Sequence, residues 1–184
     1  MNREGRAFKS RQAHFKKRYK MKLTNEEQNW LLEALKKQEF FSVCTVSEIK
    51  EIISLVTKKH YDGKEIVIQQ GGIGDFFFII GKGTVSVILE KEKGKEEKLS
   101  ELGPGDFFGE IALITGHERN ATVLTKESCE LFLLYRNDFL GLLSKNSGLE
   151  IKVLRIVEKR LNERKIHLSE PQKKSILDRL KQLI

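Results

Sequence analysis

From Tyr61 to Tyr135 the chain is interrupted every few residues by glycine or another turn former, and only short runs lie between the interruptions. The runs are Glu65–Gln69, Phe76–Ile80, Thr84–Leu89, Lys98–Leu102, Ala121–Leu124 and Glu130–Tyr135. They are apolar or alternate between apolar and polar, and several are rich in β-branched or aromatic residues, which is the pattern of strands. Glycines stand at the joints (Gly63, Gly71, Gly74, Gly83, Gly94, Gly103, Gly105), where left-handed backbone or a tight turn is cheap. Many short strands at this spacing indicate a barrel, a jelly roll or a sandwich. The charged stretch Glu90–Lys98, centred on Gly94, reads as a solvated hairpin tip.

Helical patterns flank this region. Thr24-Asn25-Glu26-Glu27 has the form of a capping box ahead of Trp30, Leu31, Ala34 and Leu35. Thr45-Val46-Ser47-Glu48 repeats that form ahead of Ile49, Ile52, Ile53 and Val56, a stripe at helical spacing. Phe40 and Phe41, between the two, are expected to anchor the helices on the core. After the strands, Asn137–Ser144 predicts a short helix. Gly148–Ile166 predicts a longer one with Leu149, Val153, Ile156, Val157 and Leu161 on its apolar face. A last helix follows Ser169 and Pro171. The chain divides into a basic arm (1–22), a helical entry (23–60), a β-roll (61–136) and C-terminal helices (137–184), with no internal repeat.

The net charge of +8 belongs to one end. Residues 1–22 carry nine lysines and arginines against Glu4, and residues 23–184 are balanced. The arm has the charge to meet nucleic acid or anionic lipid, and equally reads as a solvated tail without a partner. It lacks the apolar core of a secretory signal, and no apolar run reaches the roughly 18 residues of a membrane span, so the expected location is cytoplasmic. Cys44 and Cys129, without metal-ligand spacing, read as reduced core thiols.

The chemistry concentrates in residues 107–123, from Phe107-Phe108-Gly109-Glu110 to Arg119-Asn120-Ala121-Thr122-Val123. Gly109 allows backbone to approach a ligand closely, and one helical turn after it would aim free N–H groups at an anion. Arg119 is a permanent planar cation suited to phosphate oxygens. Glu110 is wrong for phosphate but suits a sugar hydroxyl. An anion site beside a hydroxyl acceptor describes the phosphate and ribose of a nucleotide.

This segment resembles the phosphate-binding cassette of cyclic-nucleotide-binding domains, as found in kinase regulatory subunits, Crp-like transcription factors and cyclic-nucleotide-gated channels. The resemblance runs from about Phe40 to Arg164. It includes Gly63-Lys64-Glu65, Gln70-Gly71, Gly74-Asp75, Ile79-Ile80-x-x-Gly83-x-Val85 and Leu102-Gly103-Pro104-Gly105-Asp106, with nine residues from Glu110 to Arg119. It implies a mainly β fold with α flanks, a double-stranded β-helix or jelly roll, with helices at both ends and one extra terminal helix. It implies that Arg119 and the N–H groups of Ala112 and Ala121 hold a cyclic phosphate, and that Gly109 and Glu110 meet the ribose. Ile111 and Asn120 complete the candidate site. Leu113 would be the hinge contact on the helix of Phe139, and Leu161 and Arg164 would belong to a lid over the base. Two departures from the family pattern stand out: Glu118, where proline often precedes the arginine, and Asn120, where alanine, serine or threonine usually follows it.

An enzyme is not expected. His14, His60, His117 and His167 are scattered, so neither a metal site nor a base beside a nucleophile is formed. Gly71-Gly72-Ile73-Gly74 lacks the lysine and helix of a phosphate loop and reads as a turn. The resulting expectation is a single regulatory module that binds cAMP, or alternatively cGMP, without a metal. It would act on a separate effector protein, with a homodimer through the long C-terminal helix as a further option. The alternatives are a Crp-like regulator lacking its DNA-binding module, or a degenerate domain that binds only protein.

Overall fold

The structure, a computed structural model, describes residues 23–38, 41–91, 94–109 and 118–162, together with Lys174. It opens with α1, Asn25–Lys36, and α2, Val46–Ser54. Both start as the sequence predicts. Thr24 Oγ1 accepts from the Glu27 amide while the Glu27 carboxylate accepts from the Thr24 amide, and Thr45 and Glu48 repeat the exchange. The buried positions are Leu31 and Leu35 on α1 and Ile49, Ile52 and Ile53 on α2. Trp30 remains 38% exposed and leans on Phe132, with ring centroids 5.7 Å apart.

Eight strands follow: β1 Thr57–Tyr61, β2 Ile66–Ile68, β3 Phe76–Lys82, β4 Val85–Glu90, β5 Glu96–Leu102, β6 Phe107–Phe108, β7 Thr122–Thr125 and β8 Cys129–Tyr135. They form two four-stranded antiparallel sheets, ordered β1-β8-β3-β6 and β2-β7-β4-β5. The chain passes repeatedly from one sheet to the other, as a jelly roll requires. Two expectations change. The sequence reading leaves Thr57–His60 in the helical entry, yet these residues open β1. That segment has little apolar patterning and is a strand because β8 supplies its ladder, from Thr57 opposite Leu133 to Tyr61 opposite Cys129. The hairpin tip also contracts, because β5 begins at Glu96 opposite Glu90 and the Lys91 amide bonds the Lys95 carbonyl.

The first sheet separates two cores. Phe77 lies opposite Leu134 and Ile79 opposite Phe132, and these four pack with Leu31, Leu35, Phe41, Ile49 and Ile52 of the helical entry. Their neighbours Phe78, Ile80, Leu131 and Leu133 face the inside of the roll with Val85, Phe108 and Val123. Successive strand residues point to opposite faces, so one continuous apolar run serves both cores. After β8 come α3, Arg136–Leu143, and α4, Ser147–Asn162. Phe139, Leu143, Leu149 and Val153 join the helical core, so the entry helices and the C-terminal helices share one apolar cluster. Positions 156, 157 and 161 have no described side chains; the arm, and the predicted last helix apart from Lys174, lie outside the described residues.

Lys152 ties α4 to α2 by reaching both carboxylate oxygens of Glu48, at 3.2 and 3.1 Å. The Thr45 amide first, and Lys152 after it, hold the Glu48 carboxyl below its ordinary range. The contribution is therefore complete above an ordinary carboxylate pKa and fades as pH falls through the lowered value. Replacing Thr45 by alanine removes the Oγ1 bond to the Glu48 amide, 3.3 Å. It is expected to cost about 1 kcal/mol of stability, read as a lower urea midpoint at unchanged slope. An unchanged midpoint at neutral pH would show that the cap carries nothing. Cys129 is buried, and Cys44 is half-buried with its thiol pushed up to about 11, chiefly by burial. Both are free, as expected of core thiols.

Candidate functional site

Arg119 is 7% exposed, unusual for a residue whose charge cannot be neutralised. Three segments bury it. The turn after β2 pairs with its backbone in both directions: Gly71 N donates to Arg119 O and Arg119 N donates to Gly72 O, each at 2.9 Å. The ends of β3 and β6 receive its guanidinium, with Nη2 donating to Phe76 O at 2.6 Å and Nη1 to Gly109 O at 3.3 Å. Its Cζ lies 5.9 Å from the Phe78 ring centroid, and Phe78 stacks on Phe108 at 4.9 Å. A cation over an aromatic face gains without requiring a counter-charge.

Gly109 is needed for this approach. Its φ is +82°, and a Cβ there would come within 2.5 Å of Arg119 Nη1 and 3.1 Å of Phe76 O. The strand entry carrying Arg119 is fixed from its far side as well. Gln70 N donates to Thr122 Oγ1 at 3.1 Å, and Thr122 Oγ1 donates to Glu90 Oε1 at 2.8 Å. The Gln70 side-chain amide both donates to Glu90 O and accepts from Glu90 N, standing in for a backbone partner.

The fold therefore brings Gly109 and Arg119 together. Asn120 and Ala121 follow the arginine half-buried, and Glu118 before it is exposed. Glu110, Ile111, Ala112, Leu113 and His117 lie outside the described residues, as does Arg164. Leu161 is in α4, but its side chain is not described. Phe139 is fully buried, in the helical core rather than in the roll. The sequence reading missed the Phe76 carbonyl and the Phe78 ring. A backbone carbonyl leaves no mark in a sequence, and the Phe78 position shows only once the sheet is assembled. Gly71-Gly72, read as a turn, is one (Gly72 N to Gln69 O, 3.0 Å), and it also holds the arginine's backbone.

Chemically, this is a delocalised cation with five N–H donors, screened from bulk water. Such a donor set fits the oxygens of a phosphate. No group of three or more histidine, cysteine, aspartate or glutamate residues able to hold a metal occurs among the described residues. Nor is any helix among them long and apolar enough to cross a membrane.

Residues 58–146 match the family described as "Cyclic nucleotide-binding domain". The chain is similar to the cyclic AMP receptor protein of Thermus thermophilus, 27% identical over 134 residues that make up 73% of this chain and 62% of that protein. It is similar to the cGMP-dependent protein kinase egl-4 of Caenorhabditis briggsae, 32% identical over 66% of this chain and 17% of the kinase. Among solved structures it resembles the regulatory domain of Toxoplasma gondii PKA, crystallised with cAMP. The TM-score is 0.62 at 25% identity, covering 66% of this chain and 46% of that one. The chain thus spans less than two thirds of the length of these two proteins.

Proposed function

We propose that residues 58–146, which match the cyclic nucleotide-binding domain family, take up cAMP, in narrow preference to cGMP, as a regulatory signal. The observation that carries this reading is the buried guanidinium of Arg119, held by the Phe76 and Gly109 carbonyls against a glycine that leaves it room. Arg119, with the amides of Ala112 and Ala121, would hold the cyclic phosphate. Gly109 and Glu110 would meet the ribose hydroxyl, and Ile111 would complete the wall. Relatives of both kinds support a regulatory role: a cyclic AMP receptor protein and a cGMP-dependent kinase.

Binding would be relayed through α3 and α4 to a separate effector, with Leu113 and Phe139 as the hinge and Leu161 and Arg164 in the lid. The shared helical core supports this route, because Phe139, Leu149 and Val153 belong to one apolar cluster with residues of both entry helices. The basic arm, with its surplus of eight positive charges, is proposed as a secondary docking element for an anionic surface.

Calorimetric titration of the full chain with cAMP and with cGMP tests the reading. Saturable binding of cAMP is expected, with cGMP somewhat weaker, and absence of heat with either ligand would end it. The selectivity rests on Asn120, which has both a donor and an acceptor on its side chain. Its amide oxygen would accept from a guanine amine, a bond adenine cannot replace at that edge. Replacing Asn120 by alanine is therefore expected to widen the preference for cAMP. A variant that binds cGMP relatively better than the parent removes Asn120 from the selectivity argument.

A further inference from the structure

Asp75 and Phe76 are neighbours at the entry to β3, and their carbonyls face two different structural units. Phe76 O accepts from Arg119 Nη2 at 2.6 Å. Asp75 O accepts from the amide of Arg136, the first residue of α3, at 2.8 Å. The second bond matters because α3 has no side-chain cap. Its N-cap residue is Tyr135, which offers the helix no side-chain hydrogen bond. A helix start needs partners for its leading amides, and here the first of them is satisfied by a strand that also holds the guanidinium.

Side chains reinforce the same junction. Phe76 stands opposite Tyr135 in the β3–β8 ladder, and their rings lie 5.1 Å apart. Tyr135 is the last residue of β8 and immediately precedes α3, whose Phe139 is fully buried in the helical core. A continuous set of contacts therefore runs from the guanidinium through Phe76 to Tyr135 and the first turn of α3.

We propose that Phe76 and Tyr135 are positioning residues that couple occupancy of the Arg119 site to the start of α3, with the arginine itself as the input. The inference rests on the proposed uptake of a cyclic nucleotide. It differs from a relay through Leu113, because it needs no contact from the segment 110–117. The guanidinium has a fixed set of five donors. Each donor turned toward a phosphate is realigned relative to Phe76 O. The preceding peptide, whose Asp75 carbonyl holds the Arg136 amide, then shifts with the Phe76 backbone. The Phe76–Tyr135 ring pair keeps the junction stiff, so the displacement is transmitted rather than absorbed.

The experiment measures cAMP binding by calorimetry and amide hydrogen exchange with and without saturating cAMP, on the full chain, on Tyr135→Leu and on Tyr135→Phe. In the parent, cAMP is expected to change protection at the Arg136 amide and through 136–143. In Tyr135→Leu, affinity should stay within about fivefold while most of that response disappears, and Tyr135→Phe should restore it. A full response in Tyr135→Leu overturns the proposal. So does a parent that binds cAMP with no change at the Arg136 amide, a result that stands even if Tyr135→Leu fails to fold. A parent that binds neither cAMP nor cGMP sinks the functional reading instead, and this inference with it.

Discussion

Replacing Arg119 by alanine is expected to weaken cAMP binding by about 2–5 kcal/mol, roughly thirtyfold to several thousandfold, while the protein still folds. The size follows from burial. At 7% exposure the guanidinium is screened from water, so its bonds to an anion are not offset by hydration as surface bonds are. The native stability should fall as well, by about 1–3 kcal/mol, because the Phe76 carbonyl loses this donor in a buried place. The two effects separate in a denaturation series with and without ligand. The parent midpoint should rise with cAMP concentration and the variant midpoint should not. Arg119→Lys is the informative control, since it keeps the charge but cannot reach Phe76 O and Gly109 O together in the fork geometry of the parent. Lysine should recover only a small part of the loss. Parent-like affinity in the alanine variant would remove Arg119 from the site altogether.

The second large effect belongs to Gly109→Ala. The residue has φ +82°, a region that costs an L-residue about 1–2 kcal/mol. The new Cβ would stand 2.5 Å from Arg119 Nη1 and 3.1 Å from Phe76 O, so it would push on the guanidinium and on the carbonyl that accepts from its other arm. The arginine's flexible end can retreat, which limits the cost to folding. It cannot retreat without leaving the position from which it would meet the phosphate. The expected outcome is a stability loss of about 1–3 kcal/mol together with at least a tenfold loss of cAMP affinity. The double variant with Arg119→Ala should be less destabilised than the sum of the single changes, because the clash with Nη1 is gone. Strict additivity, with affinity unaffected by Gly109→Ala, would mean that glycine and arginine act independently.

Much of the chain's local structure is legible in its sequence. The capping boxes at Thr24 and Thr45 form as read, because N-cap and N3 lie three residues apart and need nothing else. The apolar runs that become β3 and β8 appear as strands, and Gly109 and Arg119 stand out within one segment, though not as a pair in contact. Elsewhere the reading stops where the cause is distant. Thr57–His60 carries two lysines and a histidine and does not announce a strand, and β8, some seventy residues later, makes it one.

Elements with local causes can be read from consecutive residues: helix starts, the glycines that allow sharp turns, the apolar periodicity and the residue types of the segment 107–123. Tertiary structure alone decided how those elements are used. It assigned alternate residues of a single apolar run, Phe77 and Ile79 against Phe78 and Ile80, to two different cores. It set the guanidinium of Arg119 on a carbonyl 43 residues upstream, next to the carbonyl that starts α3. The physical reason is the range of the forces involved. Capping and turn chemistry act across three or four residues and are written in consecutive letters. Strand pairing and the burial of a cation depend on segments that meet only after long loops close, so their partners are fixed by the assembled sheets and by nothing adjacent in the chain.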